Sequence, residues 1–127
     1  MKFLVVDDSA TMRRIVINSL QRIGYGDCVE ASDGAEALDR FDASIDFVIT
    51  DWNMPNVGGL DLVRALRARD DARDVPVLMV TTRSAREDIL AAAEAGVNNY
   101  VVKPFTPQVL KEKIEQVLSA VSGAARG

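Results

Sequence analysis

Short apolar runs alternate with stretches of helical periodicity along the whole chain. Five runs of apolar and β-branched residues have the length of buried strands, and they lie at 2–6, 28–31, 46–50, 75–80 and 100–102. Between them, apolar residues recur at intervals of three and four, as they do on one face of an amphipathic helix. Strands that alternate with helices predict a doubly wound α/β domain with a parallel sheet.

Several helix boundaries carry signals of their own. Ser9 is a predicted N-cap of the first helix, and Thr106 followed by Pro107 predicts the start of the last one. Ser84 with Glu87 three residues later has the form of a capping box, which predicts that the fourth helix begins there. Glycines predict where two of the helices end, at Gly24, Gly26 and Gly96.

Polar residues stand at the ends of four of the five predicted strands. Asp7 and Asp8 follow the first strand, Asp51 follows the third, Thr81 closes the fourth and Lys103 closes the fifth. In a parallel sheet these positions share the carboxyl edge, where open α/β sheets bind ligands. If the first and third strands are neighbours, their acids meet where the strand order reverses. A single Asp at a strand end usually has no further role, but five polar residues at matching positions favour a functional site.

Carboxylates that share one pocket repel each other, so at least one pKa is expected to rise unless a counter-charge is present. Mg²⁺, for which Mn²⁺ could substitute, takes oxygen ligands and pairs carboxylates with phosphate oxygens. We expect Asp8 and Asp51 to be direct ligands of one Mg²⁺ ion and Asp7 to be a ligand through water. The backbone carbonyl of Asn53, in the loop after Asp51, is a further expected ligand.

These groups suit phosphoryl transfer to a carboxylate, which depends mainly on positioning and charge neutralisation. Asp51 is the expected nucleophile. Lys103 is suited to a phosphoryl oxygen or a carboxylate, and Thr81 offers a hydroxyl donor that can follow a new charge. Two plainer interpretations stay open at this point, namely an acidic metal site without transfer chemistry, and polar strand ends with no shared role.

The length of the chain predicts a simple organisation. The 127 residues predict one domain with a frayed tail at 122–127. The polar segment 67–74 is interpreted as a solvated helix end and loop.

Composition excludes several functional classes. The net charge of −4 predicts neither nucleic acid nor membrane as a partner, and no apolar stretch reaches the roughly 18 residues of a membrane span. The chain has no histidine, so it has no His base or phosphohistidine of its own. A single cysteine permits no disulfide within the chain, which fits a reducing cytoplasm, and Cys28 itself is expected to be buried and inert.

Four groups of short sequence words carry a family resemblance. They are VVDDS at 5–9 with TMRRIV at 11–16, TDWNMP at 50–55, AAAEAG at 91–96, and NYVVKPFT at 99–106. With these words, which span nearly the whole chain, the sequence resembles the receiver domains of two-component response regulators, and among them the chemotaxis CheY type. The double Asp, the Asp-x-x-x-Pro word and the Lys-Pro-Phe word are together highly specific for receivers.

The resemblance implies a (βα)5 three-layer fold of the flavodoxin-like and CheY-like class, with a five-stranded parallel sheet in the order 2-1-3-4-5. It implies a monomeric, cytoplasmic, stand-alone receiver over residues 1–127, without an output domain. A histidine kinase similar to CheA would donate its phosphoryl group to Asp51. By analogy, the Lys103–Pro104 peptide bond is expected to be cis, which X–Pro bonds permit more readily than others.

The resemblance also implies a switch that biases a two-state surface. Thr81 would move toward the phosphoryl group and Tyr100 would turn inward. The surface of the fourth helix, fifth strand and fifth helix would then change its affinity for a flagellar motor switch protein similar to FliM, or for another output protein. A phosphatase is a further implied partner. The residues expected on this face are Ile89, Tyr100, Val102 and Lys113.

One position departs from the family pattern. Arg83 stands two residues after Thr81, where CheY proteins often carry Glu. In receivers this position and the one that Asn53 occupies tend to tune how fast the phosphoryl group is lost. A cation at Arg83 could stabilise the acyl phosphate or hinder a phosphatase, and the alternative is a solvated arginine near a helix start. Trp52 is interpreted as a partly exposed loop residue beside the acids.

Three other functions are weighed against a motor-directed receiver. A receiver of the same kind could serve a non-motor phosphorelay or regulate an enzyme. A Mg²⁺-dependent phosphatase with an Asp nucleophile usually has a second acid where this chain has Asn53, which cannot act as an acid or base. Flavin binding is disfavoured because Asp7 and Asp8 would repel a phosphate. Slow self-hydrolysis is expected instead of turnover, so the chain is not expected to be an enzyme.

Overall fold

Strands and helices alternate along the part of the chain that the structure describes. The computed structural model describes the backbone of residues 1–126 and the side chains of residues 1–121, so the predicted frayed tail at 122–127 lies outside the fully described residues. The elements are β1 (Lys2–Val6), α1 (Ala10–Arg22), β2 (Asp27–Ala31), α2 (Gly34–Arg40), β3 (Phe47–Thr50), α3 (Gly59–Ala68), β4 (Val77–Thr81), α4 (Arg86–Ala95), β5 (Asn99–Val102) and α5 (Pro107–Arg126).

The strands form one five-stranded sheet in the order β2-β1-β3-β4-β5, and every neighbouring pair is parallel. The register places Val6 beside Thr50 and Thr81 beside Val102, so the last residues of neighbouring strands lie side by side. The predicted doubly wound fold and the strand order 2-1-3-4-5 are confirmed. The polar residues that follow these strands are thereby brought to one edge of the sheet.

Both faces of the sheet are buried, which explains why its strands read as continuous apolar runs. Along β1, Leu4 and Val6 belong to a core that α2, α3 and the end of α4 cover, whereas Phe3 and Val5 belong to the core under α1 and α5. All four side chains are at most 1% exposed. Among the described residues, no helix is both long and apolar enough to cross a membrane.

Most helix boundaries follow the sequence signals, but the capping box does not. The Ser9 and Thr106 hydroxyls accept hydrogen bonds from the backbone N–H groups of residues 12 and 109, as N-caps do. Helix α4, however, begins at Arg86 with Ala85 as its N-cap and no side-chain cap. Its first turn closes on the Ala85 carbonyl, so the Ser84 hydroxyl is one residue out of register and the predicted box with Glu87 is wrong.

Two further predictions are corrected near the sheet. Strand β4 begins at Val77, two residues later than predicted, because Pro76 has no N–H to donate to a neighbouring strand. Cys28 is only partly buried, because β2 is an edge strand whose outer side has no neighbour. This partial burial, with help from nearby carboxylates, raises the pKa of the Cys28 thiol and so favours the protonated form over the reactive thiolate, and the lack of reactivity stays a prediction.

The polar segment 67–74 is not simply solvated, because Arg67 is a structural residue. Its guanidinium donates hydrogen bonds to the carbonyl oxygens of Val75 at 2.7 Å and Gly96 at 2.8 Å. It also donates to the side-chain oxygen of Asn98 at 3.0 Å, and that oxygen accepts a second bond from the Val77 N–H at 2.8 Å. Burial lowers the pKa of the Arg67 guanidinium. Arg67 therefore joins the end of α3 to the segments that precede β4 and β5.

We predict that Arg67→Met lowers the free energy of unfolding by about 2–4 kcal/mol, because several carbonyl oxygens lose their charged donor. Urea denaturation measures this change. The matched control is Arg64→Met on the exposed side of the same helix, for which we expect a change of about 0.5 kcal/mol or less. Equal losses in the two variants would contradict the structural role of Arg67.

Candidate functional site at the carboxyl edge of the sheet

The end of β1 places two acidic side chains in different environments. The Asp7 N–H donates to the Ala31 carbonyl at 3.1 Å, which continues the pairing of β1 with β2 by one residue. The residue is only 4% exposed, and its Oδ1 accepts a hydrogen bond from the Ser9 N–H at 2.9 Å. Asp8, by contrast, is exposed. The turn therefore presents one buried and one solvent-facing carboxylate.

Asp51 directly follows β3 and is held in place by hydrogen bonds of its backbone and of its side chain. The Asp51 N–H donates to the Val6 carbonyl at 3.0 Å, and Asp51 Oδ1 accepts a bond from the Trp52 N–H at 2.6 Å. The following loop packs so closely that a Cβ on Gly59 would lie 2.1 Å from the Asp51 carbonyl oxygen. Only glycine fits at that position, and this close approach was not among the features that the sequence predicted.

One ammonium group joins the two strand ends. Lys103 Nζ donates to Oδ2 of Asp7 and to Oδ2 of Asp51, each at 2.9 Å. The three side chains are only 10%, 5% and 14% exposed, respectively. Burial by itself lowers the pKa of the Lys103 ammonium, but the hydrogen bonds and charges of Asp51 and Asp7 outweigh it, so that pKa is raised. Lys103 is therefore held in its charged form.

The acidic cluster consists of Asp7, Asp8 and Asp51, each of which offers one carboxylate oxygen within 4.8 Å of the other two. The pKa of Asp7 is raised, mainly by burial, whereas the charge of Asp51 is the smallest contributor and Ser9 and Lys103 act in the opposite direction. The expected rise is thus present, but desolvation rather than like charge is its main cause. Since Lys103 supplies one positive charge against three carboxylates, the cluster keeps a negative charge. This set of hard oxygen donors fits a divalent cation such as Mg²⁺.

An open groove of about 550 Å³ lies directly beside the cluster. Its walls include Asp8, the loop after Asp51 and residues of α3, and the lining residues are Asp8, Trp52, Asn53, Met54, Gly58, Gly59, Leu60, Asp61 and Arg64. The carboxylates can therefore be approached from solvent on the side of Asp8.

The two proposed switch residues lie on neighbouring strands but do not hydrogen-bond to each other. Thr81 is 1% exposed, and its hydroxyl oxygen accepts a 3.4 Å bond from the Arg83 N–H. Tyr100 is half-buried, and its hydroxyl donates to the Arg83 carbonyl at 2.8 Å. Burial is the main cause of a raised pKa for the Tyr100 phenol, so the group stays protonated and able to donate.

The Arg83 side chain is 38% exposed, but it also makes specific contacts that the interpretation as a solvated arginine did not expect. Its guanidinium carbon lies 4.7 Å from the centre of the Trp52 ring, within the range of a cation–π contact. Its Nη2 donates to Asn53 Oδ1 at 3.2 Å, and its Nη1 lies 3.5 Å from Asp88 Oδ1. Trp52 is partly exposed, as expected. Asp88 had no signal in the sequence, because it appears there as one more acid in the first turn of a helix.

The expected partner face is exposed to different degrees. Ile89 and Val102 are each 40% exposed, whereas Lys113 and Tyr100 are half-buried. A small cavity of about 180 Å³ opens between α4 and β5, and Ile89 and Tyr100 are among its lining residues. The predicted cis peptide bond between Lys103 and Pro104 is also present at the end of β5.

Comparisons with known proteins agree with this geometry. The chain is 56% identical over 120 residues to the chemotaxis protein CheY1 of Helicobacter pylori strain J99, which covers 93% of this chain and 97% of that protein. It is 54% identical over 125 residues to the chemotaxis protein CheY homolog of Campylobacter jejuni serotype O:23/36, which covers 97% of this chain and 96% of the homolog.

Solved structures and sequence families lead to the same class. The structure of the chemotaxis protein CheY4 of Vibrio cholerae superposes with a TM-score of 0.83 at 36% identity, over 91% of this chain and 97% of that one. Residues 3–115 match the family described as the response regulator receiver domain. The chain therefore belongs to the response regulator receiver domains and is of the CheY type.

Proposed function

We propose that this protein is a stand-alone response regulator that accepts a phosphoryl group on Asp51 from a histidine kinase similar to CheA. The observation that carries the proposal is the position of Lys103, whose ammonium joins the Asp7 and Asp51 carboxylates at the edge of the acidic cluster. CheY-type receivers are signalling proteins and not turnover enzymes. In keeping with this, the only role proposed for the acids is to accept, hold and slowly release one phosphoryl group.

The transfer step balances with the groups present and a phosphohistidine donor. A carboxylate oxygen of Asp51 attacks phosphorus, the P–N bond of the donor breaks, and the electron pair leaves with the imidazole nitrogen, which takes up a proton. Asp8 and Asp51 would hold Mg²⁺ directly, Asp7 would hold it through water, and the Asn53 carbonyl would complete the protein ligands. When bound, Mg²⁺ or Mn²⁺ neutralises charge on the phosphoryl oxygens.

Lys103 contributes in two ways to this chemistry. Before transfer, its ammonium lowers the repulsion between the buried carboxylates of Asp7 and Asp51. After transfer, the carboxylate charge of Asp51 is replaced by phosphoryl oxygens, which the same ammonium can accept as partners. Because Asn53 has no acid or base function and the chain has no histidine, hydrolysis of the acyl phosphate is expected to be slow.

The output of the switch is proposed to pass through the surface of α4, β5 and α5. Thr81 would move toward the new phosphoryl group, and Tyr100 would follow by leaving its bond to the Arg83 carbonyl. The exposed Ile89 and Val102, with Lys113 beside them, would then bind a motor switch protein more tightly. We propose chemotaxis in the cytoplasm as the setting, because the similar proteins of H. pylori and C. jejuni are named chemotaxis proteins.

A receiver that serves a non-motor phosphorelay would have the same acidic cluster, so only the identity of the output protein distinguishes it from a receiver that acts on the flagellar motor. If this protein acts on the motor, a peptide from a flagellar motor switch protein binds it more tightly after phosphorylation. Ile89→Ala and Val102→Ala are the substitutions that would weaken this binding without touching the acids.

We predict that Trp52 fluorescence changes on titration with Mg²⁺ and changes again when beryllofluoride, which mimics a phosphoryl group, is added. Trp52 is expected to report on both events because it directly follows Asp51 and its backbone N–H donates to the Asp51 carboxylate. In Asp51→Asn the second change is expected to vanish. A beryllofluoride response that survives in Asp51→Asn would contradict the assignment of Asp51, and a wild-type protein without any Mg²⁺ response would contradict the metal site.

Arg83→Glu is predicted to change the lifetime of the acyl phosphate by about threefold or more, which is a change of about 0.7 kcal/mol in the barrier to hydrolysis. The reason is that Arg83 contacts Asn53, one of the two positions expected to tune this lifetime. Decay is followed after removal of the phosphodonor. Arg86→Glu, an exposed charge reversal at the start of α4, is the control. Equal decay rates in wild type and Arg83→Glu would contradict the prediction.

A further inference from the structure

Arg83 contacts two separate parts of the molecule, which an effect on the phosphoryl group alone would not require. It lies in the loop between β4 and α4, and its side chain reaches two separate parts of the molecule. On one side it stacks on the Trp52 ring at 4.7 Å and donates to the Asn53 side chain at 3.2 Å. On the other side it forms an ion pair with Asp88 at 3.5 Å. The guanidinium thus bridges the loop after Asp51 and the first turn of α4.

The loop side of this bridge leads directly to the acidic cluster. Trp52 and Asn53 are the two residues that follow Asp51 in the chain. The backbone N–H of Trp52 donates to the Asp51 carboxylate at 2.6 Å, so a movement of the Trp52 backbone also shifts a hydrogen bond to the proposed nucleophile. Asn53 provides the backbone carbonyl of the proposed metal site. Arg83 therefore restrains the segment whose position decides how well the site is formed.

The helix side of the bridge leads to the output surface. Asp88 lies in the first turn of α4, where a carboxylate is favourable because the N-terminal end of a helix carries a partial positive charge. Its neighbour Ile89 is an exposed residue of the proposed partner face. The Arg83 backbone is held as well, because its carbonyl accepts the Tyr100 hydroxyl at 2.8 Å. The backbone of Arg83 is therefore tied to β5 and its guanidinium to α4, and both of these elements belong to the output surface.

We propose that Arg83 is a positioning residue that holds Trp52 and Asn53 from the first turn of α4, so that the acidic cluster and α4 are linked through one guanidinium. The inference rests on the proposed function for the metal bound at the cluster. Its consequence is reciprocal: a substitution on α4 changes metal binding at Asp51, and metal binding changes the packing of α4.

The test removes the helix end of the bridge and measures the loop end. In Asp88→Asn, which lacks the ion pair, acrylamide quenching of metal-free Trp52 is expected to increase, because the stacked guanidinium is less restrained. The Mg²⁺ affinity read from Trp52 fluorescence is expected to weaken by about twofold or more. Glu87→Gln, which removes the same charge from the adjacent and exposed residue, is the matched control and is expected to match wild type.

A double-mutant cycle separates transmission through Arg83 from a charge effect through space. In an Arg83→Met background, Asp88→Asn is expected to have no further effect on quenching or on Mg²⁺ affinity. Arg83→Lys keeps the charge but not the planar fork, and it is expected to resemble Arg83→Met. The proposal is overturned if Asp88→Asn behaves like Glu87→Gln, or if its effect persists without Arg83. If wild type shows no Mg²⁺ response, the proposed function fails. Acrylamide quenching of Trp52 in the metal-free protein then tests by itself whether Arg83 links the Trp52 loop to α4.

Discussion

The convergence of carboxylates at one edge of the sheet is the constraint on which the rest of the site depends. Asp7 and Asp51 are both largely buried, and like charges at such short separation repel strongly in a medium less polar than water. Lys103 is placed between them and is itself held charged by them. The remaining negative charge has no partner within the cluster. A divalent cation fits there because the protein leaves this charge uncompensated, and we propose that the bound cation then allows a phosphoryl group to be accepted.

The fold links the carboxyl edge of the sheet to the proposed partner face because β5 and the segment between β4 and α4 contribute to both. Lys103 directly follows strand β5, whose residues alternate between the buried Val101 and the more exposed Tyr100 and Val102. Strand β4 ends in Thr81, and Arg83 lies in the loop that joins β4 to α4. We therefore expect a change of charge at Asp51 to act on β5 and α4, which are two of the three elements of the proposed partner face.

The acidic cluster could be predicted from the sequence because it depends on topology alone. Asp7, Asp51 and Lys103 follow strands, and strand ends in a parallel sheet meet whatever the details of the loops. The strand order came from the family resemblance, since pairing between distant strands leaves no local signal. The structural role of Arg67 and the contacts of Arg83 with Trp52 and Asp88 could not be predicted, although the sequence did single out Arg83 as a departure from the family pattern. A long side chain reaches in many directions, and the loop geometry that selects one of them is absent from any local pattern.

The most direct test of the central claim is to identify the residue that becomes phosphorylated. The protein is incubated with Mg²⁺ and a small acyl-phosphate donor and is then reduced with borohydride, which converts an aspartyl phosphate to homoserine. Peptide mass spectrometry locates the converted residue. We predict conversion at Asp51 alone, and none when Mg²⁺ is omitted. Conversion at Asp7 or Asp8, or an unmodified Asp51 in the presence of both Mg²⁺ and donor, would contradict the assignment of Asp51 as the phosphoacceptor.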